Sequence, residues 1–400
     1  MTALTAAERR TGTNRPRNVF LVANNVEEVG GLQRVAHSLA QELSRRGHHV
    51  VLVGINHHAD RVTYVDDPAY ETVVLNETPE PRALRAASPL RELDPRRRLH
   101  ERRRRQVRTE AVDRLSALFR TVPDGIVVTM QINAMQWVAA ADTRHLRLIG
   151  QSHEQYEATR GLTRASRTTR RWDGIDRYYR DIDLFQLLTE QDARKFEAAG
   201  FTNTAVMHNP LSFYPEQPAP LTDKTVVSIG RYDPQKNQQA LIEAFAIVAP
   251  KHPDWSLEIY GVGPLATALQ AQAAELGLVE TVRIMGPTRE VPAVLHRSSV
   301  FALSSDFEGL PVVLCEAMAC GVPCVSVDCG PGIREVIRDE EDGLVVPPND
   351  APALAAGITR LIEDEALRRR LGAAARANIR RFSVEEIMRQ WEETFDLVER

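Results

Sequence analysis

Long hydrophobic runs are absent from this sequence of 400 residues. No stretch approaches the roughly 18–20 uninterrupted apolar residues of a membrane-spanning helix. Residues 1–17 also lack the apolar centre of a signal peptide, so we expect the chain to work in the cytoplasm. With 43% apolar and 26% charged residues, the composition excludes a mostly disordered or fibrous protein. The length predicts two domains.

Cysteine is scarce, and its four residues lie within a single fifteen-residue stretch. That clustering cannot supply a disulfide framework for so long a chain. The intervening segments of four, three and four residues also lack the CxxC pairs that are typical of zinc sites. We therefore predict that the following residues are core cysteines: Cys315, Cys320, Cys324 and Cys329.

An excess of one charge is missing as well, because 50 Lys and Arg residues against 54 Asp and Glu residues give a net charge of −4. This balance argues against bulk nucleic-acid binding. The arginines are nevertheless clustered. Arg96–Arg108 contains eight of them, and a second set falls on one face if its segment is helical: Arg160, Arg164, Arg167 and Arg171. Such clusters are either solvated faces or contacts for an anionic acceptor or an acidic membrane, where each basic residue adds about 1 kcal/mol.

Strands and helices alternate through the first half of the chain. Asn18–Ala23 is a predicted strand, an amphipathic helix with apolar residues at i, i+3, i+4 and i+7 follows, and His49–Val53 is the next strand. Further short strands are predicted at Thr72–Leu75, Ile126–Met130, Leu146–Ile149 and Leu184–Leu188. This alternation predicts a doubly wound parallel sheet.

A proline-rich segment at residues 208–223 then interrupts the pattern and predicts a linker. After it the α/β pattern restarts, with strands at Thr225–Ile229 and Ser256–Tyr260 on either side of a helix at Gln238–Val248. From Pro352 onwards the sequence reads as helical. Two such α/β domains joined by a hinge predict a ligand cleft between them.

The most specific segment is FEGLPVVLCEAMACGVP, from Phe307 to Pro323. Glu308 ends a strand-to-helix loop, Pro311 suits the first helical position, and Glu316 lies on the helix. Backbone amides at the start of this helix predict an anion site: Gly309, Leu310 and Val312. The two carboxylates could accept hydrogen bonds from hydroxyls on either side of a bound phosphate. The simpler interpretation is a helix cap and a solvated glutamate.

These residues resemble the family 4 retaining glycosyltransferases of the GT-B fold, in which two glutamates are separated by seven residues. Glu308 and Glu316 have that spacing. The resemblance extends to VGGLQRV, GRYDPQKN, CGPGIREVI and DGLVVPPND, and it is strongest from residue 225 to residue 350. It implies two Rossmann-like α/β domains that face each other across a cleft. It also implies sugar transfer from a nucleotide sugar, with retention of anomeric configuration and without metal or cofactor.

The resemblance also implies the domain boundaries. Residues 1–210 would form the acceptor-side domain, and residues 211–380 would form the domain that binds the nucleotide sugar. Residues 381–400 would form a helix that crosses back to the first domain.

Site residues are carried over from the family in the same way. Arg231 and Lys236 would grip the donor diphosphate, where cations stabilise the charge that develops on the leaving group. Glu308 would bind hydroxyls of the donor sugar, and Glu316 would bind the ribose. Solvated loop cations are the alternative for the first pair.

Three further residues lie in the first half of the chain. Gly30 and Gly31 would let the backbone approach the diphosphate, and His153 would lie near the donor sugar and phosphate. A tight turn and a structural histidine are the respective alternatives.

The family implies a front-face displacement in which the leaving phosphate helps to deprotonate the acceptor, so we assign no covalent nucleophile. The predicted reaction moves a hexose or N-acetylhexosamine from a UDP-sugar to a hydroxyl acceptor, in the synthesis of a cell-surface polymer or glycolipid. The enzyme would be cytoplasmic or peripheral on the inner face of the membrane. Alternatives are glycosylation of a small molecule, a GT-B-like phosphorylase or epimerase, and a non-enzymatic sugar-nucleotide sensor.

Two shorter motifs are weak. Gly261 and Gly263 form a GxG after a predicted strand, but Ala266 stands where a dinucleotide-binding loop has its third glycine. Asp181 and Asp183 spell the DxD with which other glycosyltransferases hold a metal. They precede an apolar strand instead of ending one, which favours a solvated strand entry.

Overall fold

The computed structural model describes residues 15–28, 30–59, 61–77, 95–160 and 174–400. The chain divides into two compact units. Unit 1 comprises Met1–Leu187, Ala193–Met207 and Met388–Arg400, and unit 2 comprises Leu188–Asp192 and His208–Ile387. Each unit contains one parallel β-sheet, so the predicted pair of α/β domains is confirmed.

Unit 1 contains a seven-stranded sheet with the order β3-β2-β1-β4-β5-β6-β7. Its strands are β1 Asn18–Ala23, β2 His49–Asn56, β3 Glu71–Asn76, β4 Gly125–Thr129, β5 Leu146–Ser152, β6 Leu184–Leu187 and β7 Thr204–Val206. The strand order reverses between β1 and β4, and loops at the carboxyl ends of strands on either side of such a reversal form ligand sites in open α/β sheets. The central strands are buried along nearly their whole length, as parallel strands covered on both faces are.

The helices around this sheet are α1 Gly31–Arg45, α2 Pro95–Phe119, α3 Met135–Val138, α4 Tyr156–Thr159, α5 Gly174–Tyr178 and α6 Glu190–Ala198. The predicted apolar stripe of α1 is buried, from Val35 to Leu43. The second half of α2 is anchored in the same core by Ala111, Leu115 and Phe119. Because α2 is longer than its apolar stretch, its arginine-rich first half extends beyond the core residues.

Unit 2 contains a six-stranded parallel sheet with the order β10-β9-β8-β11-β12-β13. Its strands are β8 Thr225–Ile229, β9 Ser256–Tyr260, β10 Val282–Ile284, β11 Val300–Leu303, β12 Cys324–Val327 and β13 Leu344–Val346. The helices that lie wholly in unit 2 are α7 Gln238–Val248, α8 Ala266–Glu275, α9 Val291–His296, α10 Val312–Ala319, α11 Pro331–Val336, α12 Ala351–Glu363 and α13 Glu365–Asn378. All four cysteines are free and buried, as predicted.

The carboxyl-terminal stretch is helical, as predicted, and it divides into three α-helices. Asp364 separates α12 from α13, and its side chain caps α13 by accepting a hydrogen bond from the Leu367 amide at 2.8 Å. The last helix is α14 Val384–Glu399, and its residues from Met388 onwards belong to unit 1, where Arg17 pairs with Glu399 at 3.1 Å. Within the described parts of the chain, none of the helices combines the length and apolarity that crossing a bilayer requires.

Candidate active site

Three of the predicted site residues of unit 2 lie on two loops that leave neighbouring strands. Arg231 and Lys236 lie between β8 and α7, and Glu308 lies between β11 and α10. Strands β8 and β11 are parallel partners, with Val226 opposite Val300. Since parallel strands end at the same edge of a sheet, both loops emerge side by side. Residues about seventy positions apart in the sequence are thereby brought into contact.

An ion pair joins the two loops. The Lys236 Nζ donates to Glu308 Oε1 at 2.7 Å, and the two side chains are only 19% and 8% exposed. The Ser305 hydroxyl donates to the same carboxylate oxygen at 2.6 Å and is buried. A carboxylate with two donors on one oxygen is strongly oriented. Neither Lys236 nor Ser305 contacts the other carboxylate oxygen, Oε2.

Further hydrogen bonds tie the two loops together. Ser304 Oγ donates to the Lys236 carbonyl at 3.1 Å, and the Gln235 side chain donates to the Phe307 carbonyl at 3.0 Å. Asn237, which has a left-handed backbone (φ 45°), donates to Asp306 Oδ1 at 2.7 Å. These contacts preorganise Lys236 against Glu308 before any ligand binds.

Arg231 is the more exposed of the two predicted cations. Its guanidinium lies 2.8 Å from Asp233 and is 60% exposed. The backbone beneath it is held by Gln238, whose amide donates to the Arg231 carbonyl at 2.7 Å. The guanidinium can therefore turn towards an incoming anion without disturbing the loop.

Helix α10 begins one residue later than predicted. Pro311 is its N-cap, with extended backbone (φ −74°, ψ 97°), and the first helical residue is Val312. Glu316 lies in the second turn and is only 2% exposed. The amides of Gly309 and Leu310 precede this helix start, where the helix dipole favours an anion.

Two glycine contacts explain the shape of the loops. A Cβ at Gly332, in α11, would lie 1.7 Å from the Gly309 carbonyl oxygen, so α11 packs directly on the backbone of the α10 entry loop. A Cβ at Gly261 would lie 2.0 Å from the Gly230 oxygen. The weak GxG motif thus serves close packing of the β9 loop on the β8 loop.

In unit 1 the predicted glycine pair lies at the start of α1, where Gly30 is the N-cap and Gly31 is the first helical residue. The Gly30 amide donates to the Tyr64 hydroxyl at 2.8 Å, and that hydroxyl donates to the Glu28 carbonyl at 2.6 Å. At Gly31 an added Cβ would meet open space. A phosphate at this loop would therefore compete with Tyr64 for the Gly30 amide.

His153 lies in the loop after β5 and is half-buried. Its Nε2 lies 3.3 Å from Gln151 Oε1. Burial lowers the pKa of His153 to about 4, so the ring is neutral at pH 7. The structure thus brings Lys236 and Glu308 into contact in unit 2, which also contains Arg231 and Glu316. Gly30, Gly31 and His153 belong to unit 1.

The arginine cluster lies on the first half of α2. We call its exposed arginines the basic face of α2: Arg96, Arg98, Arg102, Arg103 and Arg105. Leu99 lies among them and is 69% exposed. Of the second predicted set, Arg160 pairs with Asp176 at 2.5 Å, and the others lie outside the described residues: Arg164, Arg167 and Arg171.

The DxD segment directly precedes β6. Asp183 accepts a hydrogen bond from the Leu148 amide at 2.7 Å and pairs with Arg147 at 3.2 Å. This agrees with the predicted strand entry. Over the described ranges, no group of three or more His, Cys, Asp or Glu residues is arranged to hold a metal ion.

The fold is similar to that of solved glycosyltransferases. Staphylococcus aureus TarM, determined in complex with UDP, superposes with a TM-score of 0.78 at 14% identity, covering 96% of this chain and all of TarM. Anabaena HepE in complex with UDP and glucose gives a TM-score of 0.74 at 20% identity and the same coverage. At these identities the likeness shows the fold, which is GT-B.

Two family models match consecutive parts of the chain. The glycosyl transferase 4-like domain matches residues 30–210, and glycosyl transferases group 1 matches residues 213–378. The chain belongs to the family 4 glycosyltransferases of the GT-B fold. The predicted family is therefore confirmed.

This glycosyltransferase is similar to several curated relatives. An uncharacterized glycosyltransferase of Haemophilus influenzae is 25% identical over 92% of this chain and 96% of its own length. An exopolysaccharide phosphotransferase of Streptomyces coelicolor is 41% identical over 226 residues, which are 55% of this chain and 24% of that protein. The chain therefore spans about a quarter of the length of that relative.

The sequence did not indicate the contacts that three residues make in these loops: Ser305, Gln235 and Asn237. Ser305 lies three residues before Glu308, and that short polar spacing is the one signal that could have indicated it. Gln235 and Asn237 contact residues about seventy positions away, so no local pattern identifies their role.

We expect Ser305→Ala to lower kcat/KM about ten- to thirtyfold, because it removes one charge-assisted hydrogen bond from Glu308. The measurement is sugar transfer or donor hydrolysis at varied donor concentration. Ser298→Ala is the matched control, since this serine is equally buried but donates to the Val294 carbonyl. Equal losses in the two variants would contradict a role in orienting Glu308.

Proposed function

We propose that this chain is a retaining, metal-independent glycosyltransferase that moves a hexose or N-acetylhexosamine from a UDP-sugar to an acceptor hydroxyl. The observation that carries the proposal is the preformed Lys236–Glu308 pair beside the start of α10. A cation, a carboxylate and a set of helix amides within one loop cluster suit a ligand that carries both phosphate and hydroxyl groups.

Each group would have a distinct role in donor binding. Arg231 and Lys236 would neutralise the diphosphate, since an ammonium has three donors and can bind Glu308 and a phosphate oxygen together. Glu308 Oε2 would accept from a sugar hydroxyl. Glu316 would accept from the ribose hydroxyls. Gly309 and Leu310 would donate backbone amides to phosphate.

The proposed chemical step is a displacement on one face of the sugar. The bond between the anomeric carbon and the phosphate oxygen breaks, and a bond from the acceptor oxygen to that carbon forms on the same side. The acceptor proton passes to the departing phosphate oxygen. Lys236 and Arg231 would act by stabilising charge on that oxygen, which typically contributes several kcal/mol to a barrier.

The donor proposal is tested with a thermal-shift panel of UDP, GDP, ADP, dTDP and NAD with their sugar forms, repeated in EDTA. A ligand at 100 times its Kd stabilises the folded state by about 2.7 kcal/mol. We expect a shift with UDP and its sugars that EDTA leaves unchanged. A shift with NAD alone, or with none of the panel, would overturn the proposal.

Glu316→Gln sharpens this test. Because an amide has one acceptor oxygen where the carboxylate has two, and carries no charge, we expect the UDP affinity of this variant to fall about ten- to hundredfold. Glu275→Gln, at an exposed position on α8, is the control. A Glu316→Gln variant that binds UDP like the control would contradict the ribose assignment.

We further infer that the acceptor is lipid-linked or phosphate-bearing and approaches the basic face of α2. The activity of one relative supports this inference. An N-acetylgalactosaminyltransferase of Campylobacter jejuni that acts on a diphospho-undecaprenol substrate is 34% identical over 42% of this chain. Exposed arginines with Leu99 between them suit an acidic headgroup surface with adjoining apolar chains. The enzyme would then work at the inner face of the membrane.

Charge reversal tests this surface. The triple variant Arg102→Glu, Arg103→Glu, Arg105→Glu should bind vesicles of phosphatidylglycerol and phosphatidylcholine at least about a hundredfold more weakly, at ~1 kcal/mol for each basic residue. Vesicle sedimentation measures the binding. The control is the triple variant Arg289→Glu, Arg370→Glu, Arg400→Glu, which changes the net charge of the protein by the same amount. Unchanged binding and unchanged glycosylation of a lipid-linked acceptor would overturn the inference.

A further inference from the structure

Two buried glutamines lie side by side in the sheet of unit 1. Gln151 in β5 and Gln186 in β6 are register partners in adjacent parallel strands. They are only 3% and 1% exposed. In parallel strands, residues opposite each other point to the same face of the sheet. A pair of amides at buried strand positions, where apolar residues usually lie, requires an explanation.

The amides form a directed chain that ends at His153. Gln151 Nε2 donates to Gln186 Oε1 at 3.0 Å. The opposite end of the Gln151 amide, Oε1, faces the His153 Nε2 at 3.3 Å. In this orientation the Gln151 carbonyl oxygen can only accept, so it pairs with His153 Nε2 when that nitrogen carries the proton.

The chain has one unfilled group. Gln186 Nε2 is buried and has no hydrogen-bond partner among the described residues. Leaving a buried donor unpaired costs about 1–3 kcal/mol. Packing alone therefore does not account for Gln186, because an apolar residue of similar size would avoid this cost.

Other contacts hold the loop that carries His153. The Ser152 hydroxyl lies 3.0 Å from Thr159 Oγ1 and donates to the Glu154 carbonyl at 3.1 Å. These bonds tie the end of β5 to α4. These contacts hold the loop in place. They do not involve the imidazole ring, so other groups must set its orientation and protonation.

We propose that Gln151 and Gln186, here called the glutamine relay, are positioning residues that hold His153 as its Nε2–H tautomer and so present Nδ1 as an acceptor for a hydroxyl of the bound sugar. This inference rests on the proposed function. In the neutral ring, Nδ1 has a lone pair and no proton. Such a nitrogen accepts a hydrogen bond from a hydroxyl but has no proton to donate to an unprotonated phosphate oxygen. His153 would thus bind the sugar and not the diphosphate.

The tautomer is measured first, without ligand, in the full chain labelled with 15N-histidine. We expect the His153 ring to show protonated Nε2 and unprotonated Nδ1 at pH 7, with the signals assigned from His153→Ala. Gln186→Leu should convert this single tautomer to a mixture, because the Gln151 amide is then free to turn. A ring protonated at Nδ1 in the unmodified chain would overturn the relay.

Binding to UDP and to UDP-glucose, measured by calorimetry, separates sugar reading from phosphate binding. We expect Gln151→Leu and Gln186→Leu to weaken UDP-glucose about tenfold and to leave UDP unchanged. Gln41→Leu is the matched control, since Gln41 is also a buried glutamine of unit 1 but contacts the 67–69 segment. Equal weakening of both ligands, or no weakening, would overturn the role in sugar binding.

A conservative variant guards against simple loss of folding. Gln151→Glu keeps an acceptor for the His153 Nε2–H and lets Gln186 turn its amide to donate. It should retain the tautomer and raise the pKa of His153 above its value of about 4, because a carboxylate stabilises the charged ring. An unchanged pKa would show that the two side chains do not interact. If no nucleoside diphosphate bound at all, the proposed function would fail. The NMR measurement of the His153 tautomer needs no ligand, so it would still test the glutamine relay.

Discussion

Replacing Lys236 with methionine should lower the rate of sugar transfer about 10²–10³-fold. Methionine keeps the length of the side chain and removes the only charge that contacts Glu308 within the described loops. Loss of one preorganised group that stabilises a developing anion typically has this magnitude. The effect should lie in kcat more than in KM, because charge on the leaving phosphate grows as the bond breaks. Initial rates at varied donor concentration measure both.

The same substitution also leaves Glu308 buried without its cation, so stability must be separated from catalysis. We expect Lys236→Met to lower the free energy of unfolding by roughly 2–3 kcal/mol. The double variant Lys236→Met, Glu308→Gln should recover most of this stability and none of the activity. Lys224→Met removes a lysine that is 58% exposed and serves as the control. A double variant with restored turnover would contradict the charge-stabilising role.

Gly332→Ala should impair donor binding from a position outside the two donor loops. The added Cβ would lie 1.7 Å from the Gly309 carbonyl oxygen, and since both groups are backbone-anchored, α11 or the α10 entry loop must move. A displacement of about 1 Å at a reacting site can cost about 10²-fold in rate. Overpacking should also lower stability by roughly 1–3 kcal/mol. We expect the Kd for UDP to rise by about the same factor as the rate falls.

Gly286→Ala is the matched control for this prediction, because a Cβ there would have no atom within 4 Å. It should leave both the melting temperature and the UDP affinity near their original values. If Gly332→Ala bound UDP like Gly286→Ala, the contact between α11 and the Gly309 loop would have no part in the donor site.

Most of the fold could be predicted because it is encoded locally. Periodic apolar residues gave α1, and strands such as Asn18–Ala23 and Thr225–Ile229 were predicted at their observed bounds. The helical stretch predicted from Pro352 onwards is also observed, as α12, α13 and α14. Asp364 caps a new helix there by a side-chain hydrogen bond that periodicity does not reveal.

For the site, the sequence alone determined which residue types are present and their spacing. Glu308 and Glu316, with the GRYDPQKN loop, identified the family and the chemistry that we propose. Such spacing is informative because both glutamates lie on one loop–helix unit, whose geometry follows from the local sequence.

Only the tertiary structure decided how these groups are paired. Lys236 meets Glu308, and Gln151 meets Gln186, because each pair is brought together by adjacent parallel strands. In parallel sheets the connection between neighbours is long, so partners lie tens of residues apart in the chain. No local pattern records which strands are adjacent or in what register, and that register determines which buried polar groups find a partner.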